Sequence, residues 1–212
     1  MKSKEETIKE LAEIRQLMEK STRFLSLSGL SGIFAGIFAI LGAIVAYYVL
    51  KYDARYFNPA EYLGGYYKLP VSRFVYFFVI DGLTVLTLAL AFGLYFSYRK
   101  AKRTGQKFFD KAGLRLLVHL GLPLVAGGIF CLALLYYKII FLIGPSTLIF
   151  YGLALLNGSK FTLREIHYLG IMEIVLGLIS LMFPGYTILF WSLGFGVLHI
   201  IYGAIMYYRH EK

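Results

Sequence analysis

Ile33-Phe-Ala-Gly-Ile-Phe-Ala-Ile-Leu-Gly-Ala-Ile-Val-Ala-Tyr-Tyr-Val-Leu50 is an uncharged apolar run, and its reading decides the fold class. A helix rising about 1.5 Å per residue needs about 20 such residues to cross the roughly 30 Å hydrocarbon layer of a bilayer. A membrane-spanning β-strand would instead alternate apolar and polar positions over about ten residues. This run does not alternate, so it predicts a transmembrane helix, and continuing back to Phe24 it covers residues 24–50. Five further runs follow at 74–98, 114–137, 139–157, 166–183 and 186–208. The expectation is an all-α integral membrane protein. Its single six-helix domain, 24–208, lies between a cytoplasmic arm, 1–23, and a short tail, 209–212.

Composition points the same way. The 212-residue chain is 58% hydrophobic and 16% charged, against roughly 25% charged in an ordinary soluble domain. The charges crowd into short segments between the runs, so the bilayer is the partner that the apolar surface requires. The net charge of +10 would suit nucleic acid if it formed a patch. Here the bases border spans, where they set topology and meet anionic headgroups, and no nucleic-acid partner is expected.

All but five of the 22 Lys and Arg fall in the arm, in the second loop (99–115), in the fourth loop (158–165) and in the tail. The exceptions are Lys51, Arg55, Lys68, Arg73 and Lys138. Because short cytoplasmic loops are enriched in basic residues, both termini are expected inside. The second loop holds Arg99, Lys100, Lys102, Arg103, Lys107 and Lys111 against one acid, Asp110. The first run follows a charged arm and carries no small-residue cleavage pattern, so it is read as a span and not a signal peptide. The lone cysteine, Cys131, excludes an internal disulfide and any cysteine metal cluster.

The spans read as three repeated hairpins. Each odd span has two glycines seven residues apart: Gly29 and Gly36, Gly121 and Gly128, Gly170 and Gly177. Each even span has an aromatic residue followed by glycine near its end: Phe92-Gly93, Tyr151-Gly152 and Tyr202-Gly203. Seven residues are about two helical turns, so each pair makes a flat strip where a neighbouring helix can approach closely. These nine glycines are expected to pack helices.

The last hairpin reads Gly170-Ile-Met-Glu-Ile-Val-Leu-Gly177-Leu-Ile, then Phe183-Pro184-Gly185, then Gly196-Val-Leu-His-Ile-Ile-Tyr-Gly203. It resembles the HdeD-like acid-resistance membrane proteins, small bacterial proteins built from repeated hairpins with a Gly-rich odd helix, a Pro-bearing turn and a Gly-closed even helix. The likeness covers residues 170–203 and, more loosely, the middle hairpin. The charged arm and the long first outside loop depart from the pattern. The resemblance implies six helices in the bacterial inner (cytoplasmic) membrane and a stress-related role, and it carries over no active-site residue.

In the arm, Ile8, Leu11, Ile14, Leu17 and Met18 lie near one helical face, an apolar stripe that must be covered. Lipid, a second copy of the chain and another protein's helix are the candidate covers for residues 2–23.

Ionisable groups inside spans are costly and kept for a purpose. Asp81 in span two, Glu173 in span five and His199 in span six are the candidates for a proton relay or gate, because buried carboxylates and imidazoles can take up and release protons. His119, His167 and His199, on three spans and all read as lying in the cytoplasmic half, are candidate metal or haem ligands if their faces converge. No nucleophile elbow, zinc-protease motif or dinucleotide fingerprint occurs. No enzyme activity and no cofactor is expected. Two functions remain open: a stress-related or scaffold protein acting through packing and partners, and a proton-coupled transporter or channel using Asp81, Glu173 and His199.

Overall fold

The computed structural model describes residues 24–52, 71–105 and 110–212. The arm assigned to residues 2–23 and most of the first outside loop lie outside them. Among the described residues there is no strand, and six helices are long and apolar enough to cross a membrane. They are α1 (Gly29–Tyr52), α2 (Val71–Arg103), α3 (Lys111–Tyr136), α4 (Ile143–Gly158), α5 (Arg164–Met182) and a sixth span, Pro184–His210. The sixth span is divided into α6 (Thr187–Trp191), a π-helical stretch (Ser192–Leu198) and α7 (His199–His210).

Span boundaries move where polar groups find partners. The first span starts at Gly29 and not at residue 24, because residues 24–28 run as a non-helical strap across one end of the bundle. Phe24 N–H donates to the Phe161 carbonyl at 2.7 Å, and Thr162 Oγ1 donates to the Phe24 carbonyl at 2.8 Å. Ser28 N–H donates to Ser97 Oγ of α2 at 3.3 Å. From the far end of the chain, the Glu211 carboxylate accepts from Gly29 N–H at 2.5 Å and from Ser28 Oγ at 3.1 Å. It thereby satisfies an otherwise orphaned donor at the positive end of the α1 dipole. Lys100 Nζ donates to the Leu27 carbonyl at 2.8 Å and lies 3.5 Å from Glu211. Glu165 at the start of α5 pairs with Arg209 (3.1 Å) and His210 (3.3 Å) of α7. The strap, the end of α2, the α4–α5 connection and the C-terminus are thus clasped together at one end.

α2 runs on to Arg103, past the expected end at residue 98, because Lys100, Lys102 and Arg103 form a last turn that suits the negative end of the helix dipole. The single acid of that loop has a local role. Asp110 is the N-cap of α3, its side chain accepting from Gly113 N–H at 2.6 Å. At the other end of α3, Ile139 N–H bonds the Leu134 carbonyl and Lys138 N–H bonds the Leu135 carbonyl, a Schellman closure that puts Lys138 at a φ of 60°.

Four spans form the centre. α4 packs on α5, α1 packs on the sixth span, and α5 leans on the sixth span; α2 flanks α1, and α3 flanks α4. The two flanking helices bury very few residues, with Leu83, Leu90, Leu122, Val125 and Leu132 among their uncovered side chains. Large exposed apolar faces on a chain of this kind are lipid-facing surfaces.

The glycines divide along the same line. A Cβ at Gly152 would lie 2.6 Å from the Gly170 carbonyl oxygen, and one at Gly170 2.8 Å from that of Gly152. Gly177 meets the Pro145 carbonyl at 3.0 Å, Gly203 meets that of Gly29 at 2.7 Å, and Gly36 meets that of Gly196 at 2.5 Å. These α4–α5 and α1–sixth-span contacts are backbone against backbone. Gly121, Gly128 and Gly93, expected to pack, meet nothing within 4 Å of a built Cβ. They lie on outward faces of the flanking helices, and α3 closes on α4 through Gly127, which is pressed against the Phe150 side chain.

This contrast sets an expectation. Gly152→Ala should destabilise the folded protein by about 1–3 kcal/mol through overpacking. Gly121→Ala should be neutral or stabilising by up to about 1 kcal/mol through helix propensity. Denaturant titration of the two variants in mixed micelles measures the difference.

Candidate functional site

Glu173 stands midway along α5 on the face carrying Gly170, Gly177 and Ser180, a spacing of three and four that turns this stripe into the bundle. Its side chain is 0% exposed, and neither carboxyl oxygen has a hydrogen-bond partner among the described residues. Buried polar groups are nearly always bonded, so an orphaned carboxyl at the centre of a bundle marks a place where chemistry can occur.

The sixth span supplies its neighbour. His199 Nδ1 is 3.4 Å from Glu173 Oε1, 3.0 Å from the Gly194 carbonyl oxygen, and its ring is buried. The far side of the ring is engaged as well, with Nε2 2.7 Å from the Tyr151 hydroxyl of α4. One neutral tautomer satisfies both bonds: Nδ1–H donates to the Gly194 carbonyl, and the Tyr151 hydroxyl donates to Nε2. Nδ1–H then stands 3.4 Å from a carboxyl oxygen that has no hydrogen-bond partner among the described residues. A shift of less than an ångström exchanges the carbonyl for the carboxylate as its acceptor.

The π-helical stretch makes this geometry available. In an α-helix the residue five positions on is rotated about 140° from the first, so Gly194 and His199 would face different neighbours. The wider turn of Ser192–Leu198 brings them back together, and such turns recur at functional sites. Two glycines suit its two faces. Gly194 faces Glu173, where a Cβ would lie 2.5 Å from Oε2 and 2.6 Å from Leu148 Cδ2, while Gly196 faces Ile40 of α1 at 2.5 Å. Aromatic rings close the remaining sides. Phe195 lies 5.0 Å from Tyr151 and 5.9 Å from His199, and Trp191 lies 4.9 Å from Phe195.

The other candidates lie elsewhere. Asp81 belongs to α2, and its carboxyl oxygens point at Gly42 of α1, 3.5 and 3.6 Å from a Cβ built there. That places it in the α1–α2 contact and separates it from the Glu173–His199 pair, since α2 flanks the bundle and does not pack on α5. His119 Nδ1 is 2.8 Å from the Arg115 carbonyl oxygen, and its ring lies tilted against Phe161, centroids 4.5 Å apart. His167 Nδ1 is 3.3 Å from Ser159 Oγ in the α4–α5 connection. The three histidines do not converge: His199 is in mid-span, and the half-buried His119 and exposed His167 sit toward the clasped end. Among the described residues no group of three His, Cys, Asp or Glu side chains could hold a metal.

Tyr151, Gly194 and Ser180 are site residues that sequence reasoning missed. Ser180 carried a signal, seven residues after Glu173 on the same stripe. Tyr151 stood out only as the aromatic partner of the packing glycine Gly152, and Gly194 carried no signal beyond membership of an apolar run.

The fold defines a multi-pass helical membrane protein with a titratable pair at its centre. No family model, curated protein or solved structure matches the chain.

Gly194→Ala should drive a methyl group into the Glu173 carboxyl and Leu148. We expect a loss of about 1–3 kcal/mol in stability, and recovery of at least half of it in the Gly194→Ala, Glu173→Ala double variant. Additive losses in a double-mutant cycle would contradict the contact.

Proposed function

We propose that this chain is a proton-responsive membrane protein in which Glu173, His199 and Tyr151 bind and release a proton inside the bundle. The observation that carries the reading is the orphaned Glu173 carboxyl 3.4 Å from His199 Nδ1. Glu173 and His199 share one proton site, so they titrate as a unit and not as two independent groups. Tyr151 positions the imidazole and fixes its tautomer. Gaining or losing the proton changes which oxygen His199 holds, the Gly194 carbonyl or the Glu173 carboxylate, and so bears on the π-helical stretch of the sixth span. The earlier three-residue relay contracts to this pair, with Asp81 assigned to helix contact. No catalytic step is assigned.

The orientation goes with the reading. Both termini are assigned to the cytoplasm of a bacterial inner membrane, supported by the bases clustered at the clasped end and by the meeting of Gly29 with Glu211 there. The three-hairpin repeat and the HdeD-like likeness are supported by the recurring glycines of the sequence. A scaffold or stress-related role has one observation in its favour, the exposed glycine-bearing faces of α2 and α3, which suit a second copy or a helical partner.

Infrared difference spectra of the reconstituted protein across a pH titration test the proton site. The wild type should lose a protonated-carboxyl band on deprotonation. Glu173→Gln should lack that band, and His199→Gln should displace its midpoint. A band that survives in Glu173→Gln, or none in the wild type, would sink the proposal.

A further inference from the structure

The bundle is not equivalent above and below Glu173. Toward the clasp, the next two turns of the three central helices are packed with large apolar side chains. Leu169 and Ile166 lie four and seven residues from Glu173 on α5, Leu155 lies four from Tyr151 on α4, and Met206 lies seven from His199 on α7. With Leu163 they form one buried cluster, and Leu25 and Leu27 of the strap, Leu198 and Tyr202 pack against it. Beyond it the clasp itself closes the end with charge-assisted bonds, Glu165 to Arg209 and Glu211 to Gly29 and Lys100. The five buried side chains of this cluster carry no group that could pass a proton, and the phenols of Tyr151 and Tyr202 only pack against its flank.

The opposite half is lined differently. Gly177 and Ser180 continue the Glu173 stripe, and Ser180 Oγ is fully buried without a partner among the described residues. Ser180 stands two helical turns, about 10 Å, beyond Glu173. Across from it α4 begins with Ile143, Gly144, Pro145, Ser146 and Thr147, of which Pro145 and Ser146 are buried. Gly144 abuts the Thr187 methyl of α6. An orphaned hydroxyl on the same stripe as an orphaned carboxyl is the arrangement that ordered water completes, because each such water needs two or more polar partners.

We infer that Glu173 exchanges its proton only with the aqueous phase opposite the clasp, through Ser180, so that the bundle is a one-sided proton sensor and not a conduit. This rests on the proton-site reading above. The groups facing Glu173 from the packed elements are His199 of α7 and Tyr151 of α4; nearer the clasp Glu165 of α5 is engaged by Arg209 and His210 of α7, and Arg164 lies over the Tyr168 ring. Entry from the far side therefore meets Ser180 before any other buried polar group of α5, while entry from the clasp side meets the apolar cluster.

The chain has a single tryptophan, Trp191, two aromatic rings from the imidazole through Phe195, which makes its fluorescence a reporter of the site. Full-length protein with a C-terminal tag is reconstituted, and vesicles are sorted on resin into tag-out and tag-in populations. The external pH is then stepped while the lumen stays buffered. Tag-in vesicles, whose outer face is the one opposite the clasp, should respond within the mixing time, and tag-out vesicles should respond at least tenfold more slowly. Ser180→Val should slow the tag-in response about tenfold, with Ser180→Thr restoring it, and an imposed pH gradient should not be dissipated faster than in empty liposomes. Equal responses in both populations, a faster tag-out response, or gradient dissipation that Glu173→Gln abolishes would overturn one-sided access and leave the proton site standing. No response in either population, or a wild-type response retained in Glu173→Gln, would overturn the proton site itself.

Discussion

A carbonyl oxygen of Gly170 occupies the space where a side chain at Gly152 would begin, and the same holds for Gly29 against Gly203. This close approach of backbones is the constraint on which the bundle depends. In lipid the hydrophobic effect does not drive helices together, because acyl chains are as apolar as the side chains they would replace. Association comes from dense van der Waals contact and from polar groups that meet across helices. Glycine permits both: it shortens the distance between axes, and it lets side chains on either side of the contact interlock. Two such seams, α4 on α5 and α1 on the sixth span, hold the central four helices, and the flanking pair is left to present its apolar surface to the bilayer.

The seams also account for the site. With α5 held tightly on α4, and the sixth span held on α1 through Gly36, Gly196, Gly29 and Gly203, the side chains of Glu173, His199 and Tyr151 are enclosed without a bulky residue between them. Enclosure alone would leave His199 facing away from Gly194. The π-helical stretch corrects its rotation, at a place where two glycines tolerate the irregular backbone. A polar group inside a membrane is tolerated when neighbours satisfy it. At the clasped end nearly every such group is satisfied several times over, as Glu211 and Glu165 are. At the centre Glu173 is not. The contrast within one bundle separates polar residues that hold the structure from one that the structure holds in reserve.

The sequence alone determined the class. Whether a stretch enters a bilayer is nearly a sum over its own residues, so six apolar runs sufficed to mark six spans without knowledge of their neighbours. It also singled out Glu173 and His199, because an ionisable residue in such a run is conspicuous wherever it points. Boundaries were less legible: residues 24–28 read as the start of a span, and only their bonds to Phe161, Thr162, Ser97 and Glu211, far away in the chain, draw them into a strap.

Tertiary structure decided which faces meet, and this is information that a one-helix pattern does not contain. Gly121 and Gly170 look alike as members of seven-residue pairs, yet one faces outward and the other lies against a backbone carbonyl. Asp81 and Glu173 look alike as acids within apolar runs, yet only Glu173 is buried and lies beside His199. Tyr151 became a site residue because α4 packs on α5, and Gly194 because a turn of the sixth span is wider than the helical period that sequence reading assumes. Local composition fixes the solvent each segment prefers; the distances between side chains on different helices depend on how all six pack at once, and the meeting of Glu173, His199 and Tyr151 exists only at that level.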